Sequence, residues 1–178
     1  MLADQLDVRV QIQLHVTGEE VEISIRDTVK RRYERLLDAG LVNRSLLAVH
    51  AVHMNDAEIA RFAEAGVSIA HCPNSNLKLA SGIAPIARYR DAGLNVALGT
   101  DGAASNNRLD MFSEMRTAAL MAKANDNDAA TVTAGDELRM ATLVGDCALG
   151  IERSTGSIEA EKCDDMTCVD LSALNTQP

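Results

Sequence analysis

Apolar and polar positions alternate over residues 8 to 14, VRVQIQL, which predicts a strand ending immediately before His15. The stretch 19 to 39 then changes period. Val21, Ile25, Val29, Leu36 and Leu37 fall near one helical face, and Gly40 supplies a stop. A short apolar run, LLAV over 46 to 49, predicts a buried strand ending before His50. Asn55 followed by Glu58 is a reciprocal N-terminal capping pair for a helix running toward Gly66. VSIA then leads to His71, the polar loop PNSN follows, and IAPIARYRDA predicts a helix before Gly93. LNVAL is a fourth strand, ending just before GTDGAASNN.

Four successive units of strand, polar strand end and helix favour a parallel α/β sheet over an antiparallel sandwich. Residues 108 to 124 and 134 to 149 are further helices, and MTCVDL, 166 to 171, is a final strand outside the repeating sheet. The pattern alone fits both a segment of a barrel and an ordinary open sheet. A complete (β/α)8 barrel needs about 250 residues, more than the 178 present.

Composition narrows the partners. A formal charge of −9 opposes attraction to DNA or anionic lipid, so neither nucleic acid nor membrane is expected as a partner. No apolar run reaches the roughly 18 residues of a membrane span. With aromatics at 2%, the core must come from many small contacts rather than a few large anchors. The cysteines, Cys72, Cys147, Cys163 and Cys168, form no CxxC pair, and the first 30 residues show no signal-like pattern. A reducing cytoplasm is the expected compartment.

The chemistry-bearing residues cluster at predicted strand ends. His15, His50 and His71 each close a strand, and Asp101 stands just beyond the fourth. In a parallel barrel those ends share one face, so residues distant in sequence converge. His15 and Asp101 can ligate zinc or another divalent metal, and the His50 imidazole can orient a water or carry a proton. Ordinary strand-end hydrogen bonding is the alternative for each. His53 can cap the next helix, and Asn74 and Ser75 can recognise a heterocycle or form a turn. GTDGAASNN is neither a P-loop nor a dinucleotide fingerprint.

Two phrases, HCPNSNLKLASGIAP over 71 to 85 and LGTDGAASNNRLDMFSEMR over 98 to 116, resemble the 5-methylthioadenosine/S-adenosylhomocysteine deaminases of the amidohydrolase superfamily. AVHAVHMNDAEI and GSIEAEKCDDMTCVDL extend the likeness, which matches the C-terminal portion of those enzymes. The resemblance implies a partial TIM barrel of about four parallel strand–helix units over residues 1–150. It also implies a remnant of a small β domain over 151–178. By the same likeness His15 and Asp101 are metal residues for Zn2+, His50 and Asp101 are catalytic, and His71, Asn74 and Ser75 face a purine nucleoside-like molecule. The implied reaction is hydrolytic deamination. Guanine and triazine-ring amidohydrolases share that chemistry, and an inactive fragment or a noncatalytic interaction protein is the contrasting class.

Two departures from the family matter most. The early His-x-His pair that supplies two further metal ligands is absent, and Gly18 stands where a glutamate follows the strand-end histidine. A homo-oligomer or a complementing chain is therefore expected to supply what is missing. Asp146, in a helix where relatives carry a small residue, needs a partner or solvent.

Overall fold

The computed structural model describes residues 2–6, 8–163, 165–170 and 172. After the short helix α1 (Leu2–Leu6), the strands β1 (Val10–Leu14), β2 (Leu46–His50), β3 (Ser68–His71) and β4 (Asn95–Leu98) form one sheet. It is parallel throughout, in the order β1-β2-β3-β4. Sequence order equals spatial order, so every crossover has the same simple form, and α2 (Gly18–Thr28), α3 (Arg32–Asp38), α4 (Asp56–Ala65), α5 (Pro73–Lys78) and α6 (Ile86–Asp91) lie in the connections. Beyond β4 come α7 (Ala103–Asn106), α8 (Met111–Asp126), α9 (Ala134–Met140) and α10 (Leu143–Leu149).

All five residues of β2 are buried, as a central parallel strand requires. Leu14, Leu46, Ala48, Ile69 and Val96 pack with Ile59 and Phe62 of α4 and Ile86 and Tyr89 of α6. Tyr33 of α3 lies against Phe62, ring centroids 5.6 Å apart, and Phe62 and Tyr89 are fully buried, whereas Phe112 is exposed. Leu47, Ala97 and Ala148 form a smaller cluster that seats α10. Alternation along β2 places this cluster on the other face of the sheet from Leu46 and Ala48.

The four expected strands are present, and the Asn55–Glu58 capping pair forms as predicted. Asn55 Oδ1 accepts from the Glu58 N–H at 3.0 Å and Glu58 Oε2 from the Asn55 N–H at 2.9 Å. Gly66 ends α4 in the left-handed conformation.

The single helix expected over 19–39 is instead two. Val29 takes φ 60° and ends α2, and Arg31 is extended. Hydroxyl groups capture the local carbonyls there, with Ser24 Oγ donating to Lys30 O and Thr28 Oγ1 to Ser24 O. The break frees Arg31 to reach a carboxylate on α4.

The helix expected over 134–149 likewise breaks, at Thr142, whose φ −128° and ψ −105° lie outside the helical region. The polar loop expected at PNSN is the helix α5, with Pro73 in its first turn, where a missing N–H costs nothing. Residues 166–170 carry no strand and no ladder partner among the described residues, and Leu171, the last of the expected strand, lies outside them. Asp146 finds a partner after all, accepting a hydrogen bond from Thr155 Oγ1 at 2.6 Å. It thereby pins the chain after α10.

Candidate active site

Parallel pairing brings the C-terminal ends of β1 to β4 to one edge of the sheet, and with them His15, His50, His71 and Asp101. The backbone is unusual there. His15 has φ 49°, His50 68°, Ala51 48° and Asp101 57°. Left-handed conformations in non-glycine residues cost of the order of 1–3 kcal/mol each and gather at functional sites. Here they turn the chain sharply as it leaves three of the strands.

His50 is buried, and its Nδ1 lies 2.8 Å from Asn76 Oδ1 on α5. With the amide oxygen facing the ring, Nδ1 carries the proton and Nε2 keeps its lone pair. Nε2 is 3.8 Å from Asp101 Oδ2. That is too long for a direct hydrogen bond but suited to two acceptors sharing one small donor between them.

Asp101 Oδ2 accepts from Ser75 Oγ at 2.6 Å and from Ser105 Oγ at 2.7 Å. Partial burial pushes the Asp101 carboxyl up, but the two serines, the Gly102 N–H and His50 outweigh it and hold the group below the ordinary carboxylate range. Asp101 is an ionised base at neutral pH.

His71 is 3% exposed and its Nδ1 has no hydrogen-bond partner among the described residues. Burial, with His50 nearby, depresses its pKa to about 3, so the ring is neutral. Next to it the Cys72 thiol is pushed up to about 12, first by burial and then by Asp101 and Glu114. Cys163 and Cys168 are exposed. Because the thiolate is the reactive form, brief treatment of the native chain with iodoacetamide should alkylate Cys163 and Cys168 and spare Cys72 until denaturant is added. Peptide mass mapping would check this, and native labelling of Cys72 would contradict its burial.

His15 is fully buried, with Nε2 3.3 Å from Glu58 Oε1 and, among the described residues, no well-aligned hydrogen bond at either ring nitrogen. Glu58 is held in turn by Arg31, through Nε at 2.5 Å and Nη2 at 2.9 Å, and Arg31 also donates to His53 O. Burial pushes the Glu58 carboxyl up, yet His15, Arg31 and the Asn55 N–H prevail and bring it to about 2. Sequence reasoning found Glu58 only as a capping residue. Its second role depends on the break after α2, which carries no sequence signal.

His53 points away from this group, its Nε2 2.7 Å from Ser81 O. That contact depends on Gly82, at φ 116°, where a Cβ would lie 3.1 Å from Val52 Cγ1 and 3.4 Å from the His53 ring.

The Asn74 amide is also engaged, with Nδ2 bonded to Ser113 and Glu114 and Oδ1 accepting from Thr117. Lys78 closes onto the loop after β4 through Ala104 O and Asn107 Oδ1, each at 2.6 Å. Its ammonium serves that loop and not a separate anion.

Catalytic zinc commonly takes three protein donors and an open position. Among the described residues no three His, Cys, Asp or Glu side chains converge in that way. His50 and Asp101 approach one another, while His15 faces Glu58. These side chains alone do not fit a catalytic zinc.

The model of the Amidohydrolase family matches residues 1–178. The chain is 47% identical over 176 residues to the 5-methylthioadenosine/S-adenosylhomocysteine deaminase of Teredinibacter turnerae, covering 99% of this chain and 40% of that protein. The corresponding enzyme of Moorella thermoacetica is 48% identical over 178 residues, covering 97% and 40%. An adenosine deaminase from Xanthomonas campestris, crystallised with bound zinc, superimposes with a TM-score of 0.96 at 54% identity, over 100% of this chain and 40% of that one. An atrazine chlorohydrolase from Arthrobacter aurescens in complex with zinc gives 0.91 at 31% identity, over 98% and 39%. The chain thus spans about two fifths of the length of these relatives. Four parallel strand–helix units superimposing so closely make the fold a partial TIM barrel.

Proposed function

The chain belongs to the amidohydrolase family, and from that premise we propose that it furnishes one part of the active site of a metal-dependent aminohydrolase acting on a purine nucleoside. The reaction is hydrolytic deamination of an adenosine-like molecule such as 5-methylthioadenosine or S-adenosylhomocysteine, in which the exocyclic amine leaves as ammonia and a carbonyl replaces it. The observation that carries this reading is the convergence of His50 Nε2 and Asp101 Oδ2, 3.8 Å apart, at the C-terminal end of the sheet. The deaminase relatives at 47% and 48% identity support the substrate class.

In this reading ionised Asp101 accepts a proton from the attacking water, and His50, its Nδ1–H fixed by Asn76, orients that water through Nε2. Ser75 and Ser105 hold the Asp101 carboxylate in place. His71, neutral and buried, forms the substrate wall with Ser75, and Asn74 secures that wall to α8.

Zn2+, or another divalent ion in its place, enters the proposal with His15 and Asp101 on its protein side and further donors from outside these residues. A complementing chain bearing a His-x-His pair would supply them, which a second copy of this chain cannot do because it lacks that pair. The same reading divides the chain into a barrel segment over 1–150 and a β-domain segment over 151–178, and places it in the cytoplasm with a small molecule as its ligand instead of nucleic acid or lipid. No helix among the described residues is long and apolar enough to cross a membrane.

Ammonia release from 5-methylthioadenosine, followed with zinc content by elemental mass spectrometry, tests the proposal. The expected result is turnover and bound zinc when the chain is co-expressed with a family segment carrying His-x-His, with neither in the chain alone. Asp101→Asn should abolish the turnover. No turnover in the co-expressed form, with both parts folded, would sink the deaminase reading and favour a noncatalytic interaction protein.

A further inference from the structure

Glu114 lies in the first turn of α8 and is fully buried, yet it makes no ion pair among the described residues. A buried carboxylate without a cation persists only where hydrogen bonds replace its hydration. Here they are all from amides. Oε2 accepts the Asn74 backbone N–H at 3.2 Å, and Oε1 accepts Asn74 Nδ2 at 2.8 Å and Asn106 Nδ2 as well.

The two asparagines belong to different elements, and each adjoins residues of the site. After Asn74 come Ser75, which bonds Asp101, and Asn76, which bonds His50. Before Asn106 comes Ser105, the second hydroxyl on Asp101, and Asn106 Nδ2 also donates to Thr100 O at 2.6 Å.

We propose that Glu114 is the positioning residue of the site. Its one carboxylate ties α5 to the loop after β4, and thereby sets the spacing and ring tautomer of His50 against Asp101. Without this tie, α5 and the loop would meet chiefly through exposed Lys78 and through the Ser75–Asp101 bond that needs positioning. The catalytic meaning of this role rests on the deaminase reading, whereas the coupling of the two elements does not.

The test compares the full chain with its Glu114→Gln and Asn106→Ala variants by 15N NMR of the imidazole nitrogens and by amide hydrogen exchange. Glutamine keeps the shape but puts a donor where three N–H groups converge. The His50 nitrogens should lose the Nδ1–H pattern, while those of His53, bonded to Ser81, stay unchanged. Exchange at residues 74–76 and 101–106 should accelerate about tenfold, the size expected when one buried group loses its partner, with the amides of β2 and β3 unaffected.

Asn106→Ala removes a single limb from the loop side and should still accelerate exchange at 74–76, so it decides the matter if Glu114→Gln fails to fold. Unaltered His50 signals, or acceleration confined to the loop, would overturn the proposal. Where turnover is measurable, Glu114→Gln should lower kcat by a larger factor than it raises KM. Absence of turnover in every form would count against the deaminase reading alone, because the NMR and exchange readouts do not depend on it.

Discussion

Replacing Glu58 with alanine is expected to lower the free energy of unfolding by about 3 kcal/mol, the low end of the range for breaking a buried ion pair. Glu58 is 2% exposed and answers to three groups: the Arg31 guanidinium, the Asn55 N–H and His15. Removing it strands a cation inside the protein and deletes the reciprocal half of the α4 cap. The low end applies because the Arg31 side chain is 23% exposed, so some water can reach the guanidinium. Urea unfolding of Glu58→Ala, Arg31→Ala and the double variant would check this. The double variant should lose less than the sum of the singles, since each single leaves the other charge uncompensated. Additive losses would mean that the pair is not coupled.

The second large effect is on pH. His71 titrates at about 3 in the folded chain against an ordinary 6.5. Between those values the unfolded chain binds a proton that the folded chain does not, so stability rises with pH across this window. The contribution of neutral His71 is complete above pH 6.5 and is lost as pH falls toward 3. The slope this group contributes is about 1.4 kcal/mol per pH unit. Denaturation midpoints of the native chain and of His71→Gln, taken between pH 4 and pH 7, would isolate it. The variant should show a shallower decline. Identical profiles would place the ring in contact with solvent.

Much of the scaffold was legible because its signals are local. VRVQIQL and LNVAL have strand character over a few residues, Asn55 and Glu58 sit three apart as a capping pair requires, and Gly66 can enter the left-handed region without a Cβ penalty. The breaks in the helices over 19–39 and 134–149 have the opposite character. Nothing near Val29 or Thr142 resembles a helix stop. The first break is paired with a contact from Arg31 to Glu58, 27 residues away. The PNSN segment reads as a loop in the sequence because Pro, Asn and Ser favour turns, whereas α5 is held by bonds to Glu114 and Asp101 that no local pattern encodes.

Sequence by itself determined the order and parallel sense of the strands, the placement of His15, His50, His71 and Asp101 at their ends, and the family phrases around residues 71–85 and 98–116. Periodicity and short-range capping act within a few residues, so they survive in a linear reading. Tertiary structure alone decided which of those groups meet. It brought His50 to Asp101, turned His15 toward Glu58, engaged the Asn74 amide with α8, and made Glu114 the common partner of two segments. Those outcomes depend on the burial of charge and the matching of donors to acceptors, across as few as 8 residues for Asn106 with Glu114 and as many as 43 for Thr117 with Asn74. Only the folded chain settles such pairings, because a buried polar group takes whichever partner the packing brings within reach.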